Sequence, residues 1–313
     1  MLNQYQAGRI IVPLTLKEAD GNFISWRRIK IPEHKSKSHE RELLNLCIYL
    51  KNPDLRAITI DDILCYLKDL LEIKKLHPNG IITRTTAIRR FFEYSRKRQW
   101  TSLDETLIPI PRPQFSIPRV IDEESYQKLI NIIPQSLTDC RHIRNRAIVN
   151  LLWDTGARCG EICSLNVDSL DLKNKKAVIR TEKNRGSRPF REIFWTDETN
   201  KNIKLWLESR KKLTSKPFFS GTSSLFITLC GHKPGIRLRV HGVEEMLRVY
   251  CNAADIPYYN PHAYRHHKGH QIGQTTGSAI DAMNILGHAS LKSVSPYVAT
   301  RGAELEKRAR MYM

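Results

Sequence analysis

The sequence predicts a mainly α-helical protein of two domains with one small antiparallel β-sheet, and three observations predict it. Apolar residues recur at three- and four-residue spacing along much of the chain, and the period becomes strand-like only near residues 178–195. Four prolines, Pro109, Pro111, Pro113 and Pro118, stand too close together for a helix or an inner strand. The 313 residues are enough for two domains, each burying its own core.

Residues 1–36 mix a short β-branched stretch, Ile10 to Val12, with Lys and Arg, and carry no recognisable motif; they are read as an N-terminal extension of unassigned structure. From Ser38 the pattern is helical, with Leu43, Leu46, Cys47 and Leu50 on one face. Thr59 followed by Asp62 resembles a capping box, and Ile60, Ile63, Leu64, Leu67 and Leu71 then mark the inner face of a second helix, which His77-Pro78-Asn79-Gly80 ends. A third helix turns Ile88, Phe91 and Phe92 inward, while Arg89, Arg90, Arg96 and Lys97, with Arg84 before them, give it basic character on another face. Such a stripe is usually a solvated face; in a chain this basic it is a candidate contact for a phosphate backbone. These helices form a bundle over residues 37–112.

Residues 113–121 read as an extended linker. Asp122, followed by Glu123 and Glu124, suits a helix N-terminus, so the second domain is expected to run over 122–313. In it an apolar helix over residues 143–153 stops at Thr155-Gly156. Two strands, at 178–181 and 193–195, are joined through Asn184-Arg185-Gly186-Ser187. Helical patterns resume at Thr196, with Ile203 and Leu207, and again at Val243, Met246, Leu247 and Tyr250.

Charge narrows the function. Lys and Arg number 51 against 32 Asp and Glu, a formal net charge of +19, which favours a polyanionic partner. No apolar run approaches the ~18 residues of a membrane span, and the start of the chain, with Asn3, Gln4 and Gln6, lacks the order of a signal peptide. The seven cysteines are scattered and odd in number, as in a reduced intracellular protein, and Cys159 with Cys163 lacks the second pair a zinc site needs. A cytoplasmic, nucleoid-associated protein without metal, cofactor or membrane is expected.

Five segments of the second domain present groups suited to phosphate chemistry. Arg158, where a helix has just ended, can aim a planar fork of donors; Lys183 lies in the hairpin segment; His262 and Arg265, at i and i+3, share one helix face. His288 follows Gly287, and Tyr297 lies nine residues further on. Each alone is a weak signal, because an arginine near a helix end or a lysine in a turn is usually just solvated.

In this order and spacing the set resembles the tyrosine recombinase (phage integrase, Xer-like) family, whose pattern is Arg, Lys, His-x-x-Arg, His and Tyr; the likeness covers roughly residues 118–300. It implies a helical DNA-binding domain followed by a catalytic domain, and DNA cleavage through a 3′-phosphotyrosyl bond. Tyr297 is then the nucleophile, His262 the candidate base, Lys183 the general acid, Arg158 and Arg265 the stabilisers of the transition state, and His288 a donor to the phosphate. It further implies a homotetramer, or a hetero-tetramer with a related recombinase, on two double-stranded DNA sites. Type IB topoisomerase-like relaxation and a catalytically silent DNA-binding regulator are the alternatives. Two features depart from the family: the polar run His266-His267-Lys268-Gly269-His270-Gln271 after Arg265, and Pro296 directly before Tyr297. The resemblance also implies that the tail over residues 302–313, with Leu305 and Met311 amid Arg and Lys, docks on a neighbouring protomer.

Overall fold

Leu16, Ala19, Phe23 and Ile24 fall on one helical face, and the segment without an assigned structure in the sequence contains the first helix, α1 (Leu16–Lys30), with all four buried. The computed structural model describes residues 15–30, 33–114, 119–135, 138–181, 190–215, 221–230, 234–276, 278–287 and 310. Two compact units divide between Ser116 and Ile117.

In the first unit α1 is followed by α2 (Glu33–Tyr49), α3 (Ile60–Glu72) and α4 (Pro78–Lys97). The Asp62 N–H donates to Thr59 Oγ1 at 3.2 Å and the Thr59 N–H to Asp62 Oδ2 at 2.8 Å, so the capping box forms as expected. The inner face of α3 is rotated from the expected one: Ile63, Tyr66, Leu67 and Leu70 are buried, whereas Leu64 and Leu71 are exposed. Tyr66 explains the rotation, since its ring fills the core while its hydroxyl donates to the buried Glu42 at 2.8 Å. His77 and Pro78 do not merely end a helix. His77 Nδ1 accepts from the Asn79 N–H at 3.2 Å and Pro78 occupies the first turn of α4. Ile88, Phe91 and Phe92 are fully buried, with Phe23 packed edge-on to Phe91 at 5.6 Å.

The second unit contains α5 (Glu123–Ile132), α6 (Cys140–Thr155), α7 (Cys159–Ser164), β1 (Leu170–Asp171), β2 (Lys176–Arg180), β3 (Phe190–Phe194), α8 (Asp197–Thr214), α9 (Val240–Ala253), α10 (Pro261–Thr276) and α11 (Ala279–Leu286). Asp122 caps α5 by accepting the Ser125 N–H at 2.7 Å. Helix α6 is buried along most of its length, and its buried polar residues are hydrogen-bonded: Arg146 Nη1 donates to Ile130 O at 2.7 Å and Asn150 Oδ1 accepts from the Tyr126 hydroxyl at 3.0 Å. The sheet is antiparallel in the order β1-β2-β3; Ala177 faces Ile193 and both point into the core, with Ile179 beside them. The short β1 lacks an alternation long enough to predict. Thr196 opens α8, and its hydroxyl and that of Thr199 both donate to Asp154 Oδ2, at 2.7 and 2.6 Å, tying α8 to the end of α6. Tyr126, Trp153 and His267 form a continuous stack of three rings from α5, α6 and α10, with centroid separations of 3.9 and 4.0 Å. That stack accounts for one member of the polar run after Arg265: His267 packs by its flat face.

Candidate active site

Helix α6 stops because Gly156 adopts φ +55°, where its N–H still donates to Leu152 O at 3.1 Å. A Cβ at Gly156 would lie 2.8 Å from Lys268 Cβ and 2.9 Å from Leu286 Cδ2, so only glycine lets α6, α10 and α11 meet here. Two residues later Arg158 is extended at the N-cap of α7, and Glu161 stands at the third position of that helix.

Glu161 is fully buried and takes three donors. The Arg158 N–H reaches its Oε2 at 2.9 Å, Arg158 Nη1 its Oε1 at 2.8 Å, and Arg191 Nη2 its Oε2 at 2.9 Å. Burial pushes this carboxyl up, but the charge of Arg191 and the bonds and charge of Arg158 together hold it below the ordinary glutamate range. It is therefore an anion that fixes both guanidiniums.

Arg158 and Arg265 are 8% and 3% exposed, and both reach one short stretch at the end of α11. Arg265 Nη2 donates to Leu286 O at 2.6 Å and its Nη1 to Gly156 O at 2.9 Å. Arg158 Nη2 lies 3.5 Å from Gly287 O, and Arg191 Nη1 donates to Ile285 O at 2.7 Å. Three consecutive carbonyls thus each meet a different guanidinium. The last carbonyls of a helix have no intrahelical donor and carry its partial negative charge, which is why cations gather there. Gly287, at φ +67°, turns the chain at this point.

His262 is exposed in the first turn of α10, which Asn260 caps by accepting the Ala263 N–H at 3.2 Å. Arg265, three residues on, faces the buried side. Burial, with His262, His270 and Arg265 adding to it, pushes the His266 imidazole down to about 4, so it is neutral at pH 7. Tyr264 is fully buried and its phenol is held well above the usual range by desolvation, which removes it as a nucleophile. Lys183, His288 and Tyr297 lie outside the described residues, as do Pro296 and the tail apart from residue 310.

Arg191 is the site residue that the sequence pattern did not single out. Its signal was the period of two in β3, which puts it on the same face as the buried Ile193.

In the first unit Arg90 and Lys97 are exposed and Arg89 is half-buried. Arg84 donates to the buried Glu42 at 2.8 Å, and Arg96 forms a two-pronged pair with Glu105, both bonds at 2.8 Å. These two arginines hold loops and helices of the unit together, a duty the basic stripe did not reveal. Lys97 pairs with Glu93 at 2.5 Å, the i, i+4 spacing of a surface pair. Arg90 borders a cavity of about 610 Å³ with Trp26, Arg27, His39, Tyr94 and Lys97.

Residues 119–304 match the model of the phage integrase family. Among similar proteins, the tyrosine recombinase XerA of Saccharolobus solfataricus is 29% identical over 61% of this chain and 64% of its own length. The tyrosine recombinase XerD of Oceanobacillus iheyensis is 25% identical over 95% of this chain and 98% of its own. Similar solved structures include the Tn1549 transposon integrase in complex with a circular intermediate DNA, at TM-score 0.74, 15% identity and coverage of 96% of this chain and 100% of that one. The site-specific recombinase XerH bound to its palindromic difH substrate aligns at TM-score 0.67 and 18% identity, over 95% and 96% of the two chains. The helical fold with its three-stranded sheet, and the two buried arginines at one turn, define the class: an integrase-type catalytic unit. The chain belongs to the phage integrase family, the tyrosine recombinases.

Proposed function

We propose that this chain is a site-specific DNA recombinase that cuts and rejoins double-stranded DNA through a 3′-phosphotyrosyl intermediate. The observation that carries the reading is the convergence of Arg158 and Arg265 on the Leu286–Gly287 turn, immediately before His288 in the chain. Two buried planar forks at one place suit the non-bridging oxygens of a phosphate, whose negative charge grows in the transition state.

In this reading the Tyr297 oxygen attacks the scissile phosphorus, forming the P–O bond to tyrosine and breaking the bond to the 5′-oxygen. A phenol has a pKa of about 10, so the proton must be drawn off, the part given to His262. Lys183 supplies a proton to the departing 5′-oxygen, and His288 donates to the phosphate. Attack by another strand's 5′-hydroxyl reverses the chemistry and reseals DNA. The +19 formal charge supports a DNA partner, with Arg89, Arg90 and Lys97 as the contacts of the first unit, alongside the exposed edges of Arg84 and Arg96. The reading extends to a tetramer of this chain, or of this chain with a related recombinase, on two DNA sites in the cytoplasm.

The test begins by capturing covalent protein–DNA adducts on fragmented genomic DNA to map a cleavage position. A duplex with that position, nicked beside it, should accumulate a covalent adduct with the wild type and none with Tyr297→Phe. DNA binding without an adduct in the wild type would refute the assignment, and strand exchange between two such sites separates recombination from relaxation.

A further inference from the structure

The geometry points to Arg191 as a positioning residue for the cleavage step: it balances Glu161 and pins the end of α11, so that Arg158 is left oriented and cationic toward the phosphate. This rests on the recombinase reading above. Arg191 is not itself placed against the reacting atoms.

Three observations combine. Arg191 bridges two elements with one guanidinium, Nη2 to Glu161 Oε2 at 2.9 Å and Nη1 to Ile285 O at 2.7 Å. Its aliphatic stem is the floor under Gly287, where an added Cβ would lie 2.7 Å from Arg191 Cδ and 2.8 Å from Nε. Its side chain is only 9% exposed, and the carboxylate it serves is fully buried. Arg191 therefore sits where α7, β3 and α11 meet, sharing one carboxylate with Arg158.

The charge arithmetic gives the bridge a function. Glu161 faces Arg158 from the turn before α7 and Arg191 from β3, while Arg265 from α10 bonds to Gly156 O and Leu286 O beside them. With Arg191 present, one carboxylate is shared by two guanidiniums and Arg158 keeps much of its field for a substrate. Without it, Glu161 keeps Arg158 as its one guanidinium partner among these groups, and the anchor that orients Arg158 is a carboxylate that burial drives toward its neutral form. The end of α11 also loses the cation on Ile285 O, and the residue after Gly287 in the chain is His288.

Glu161 gives this role a signature that packing alone lacks. Burial raises its pKa, and the charge of Arg191 opposes that rise together with the bonds and charge of Arg158. Removing the guanidinium leaves burial opposed by Arg158 without its partner, so Glu161 takes up a proton at a higher pH than in the wild type and, once protonated, releases Arg158 from its anchor. The loss of cleavage must therefore deepen as pH falls.

The experiment measures single-turnover adduct formation on the nicked duplex, DNA affinity and thermal unfolding for the wild type, Arg191→Met and Arg191→Lys. Removing a supporting partner of this kind is expected to slow adduct formation by ~10–100-fold in Arg191→Met, with DNA affinity little changed. The deficit should grow from about pH 8 to about pH 5.5. Arg191→Lys keeps the charge but lacks the fork that spans Glu161 and Ile285 O, so it should be slowed with a pH profile like that of the wild type. Arg191→Met at the wild-type rate, or slowed equally at every pH, would overturn the proposal. If Arg191→Met does not fold, Arg191→Lys decides: slowing at full affinity supports it and an unchanged rate overturns it. A wild type that forms no adduct refutes the recombinase reading itself, a different failure from a wild type that cleaves and is matched by both variants.

Discussion

Gly156→Ala isolates the meeting of α6, α10 and α11. At φ +55° an alanine carries the left-handed penalty, about 1–2 kcal/mol. Its Cβ would also press on Lys268 Cβ at 2.8 Å and Leu286 Cδ2 at 2.9 Å, and overpacking of this kind adds about 1–3 kcal/mol. The total is about 2–5 kcal/mol of destabilisation of the second unit. Gly221→Ala is the control, because Gly221 has φ +82° but nothing within 4 Å of an added Cβ, leaving the backbone penalty of about 1–2 kcal/mol. Urea unfolding, with the second unit's transition assigned by hydrogen exchange, gives both values. Gly156 O also accepts from Arg265 Nη1 at 2.9 Å, so adduct formation by the folded variant should fall by up to ~10²-fold while Gly221→Ala cleaves normally. A Gly156→Ala protein no less stable than Gly221→Ala would show that the three helices do not depend on this close approach.

Replacing Arg89, Arg90 and Lys97 together by Gln should weaken DNA binding and lower the slope of log K against log salt by about 2–3, at roughly 0.9 per phosphate contact, in a titration by fluorescence anisotropy. By contrast, Arg96→Gln leaves the buried Glu105 without its two-pronged partner, and its main effect should appear as a lower melting temperature of the first unit. Asp20 is held up to about 7 by burial, with Glu40 adding to it. A carboxyl with its folded pKa above its unfolded one binds more protons when folded, so the first unit should lose stability as pH rises from about 4 to about 7. Asp20→Asn should flatten that loss in pH-dependent urea unfolding; an unchanged slope assigns the effect elsewhere. Arg158→Lys, which supplies charge without the fork, should depress adduct formation by ~10²-fold or more at near-normal DNA affinity, read in the same single-turnover assay.

Local signals were the readable part of the fold. Thr59 and Asp122 cap helices because the bond each makes spans only three residues, so neighbours in sequence are the whole cause. The stop at Gly156 was legible for the same reason. The inner face of α3 was not, because Leu64 and Leu71 are as apolar as Leu67; the choice fell to Tyr66, whose hydroxyl finds Glu42 twenty-four residues away. Helix α1 hides its face in a small residue, Ala19, between Leu16 and Phe23. At the site, Arg158 and the His262–Arg265 pair stood out by spacing, whereas Arg191 makes its bonds to Glu161 and Ile285, thirty and ninety-four residues away in sequence. Arg84 and Arg96 likewise read as free charges until folding brings Glu42 and Glu105 to them.

The ring stack of Tyr126, Trp153 and His267 gives the second unit a native optical reporter. The indole of Trp153 touches an imidazole whose pKa burial pushes below the usual histidine value, so at neutral pH its neighbour is uncharged. A protonated imidazole quenches indole emission, and separating α10 from α6 would move the rings apart. Light emitted from the middle of the stack therefore records whether the helix carrying His262 and Arg265 is seated against the helix that ends at Gly156, without any label being attached.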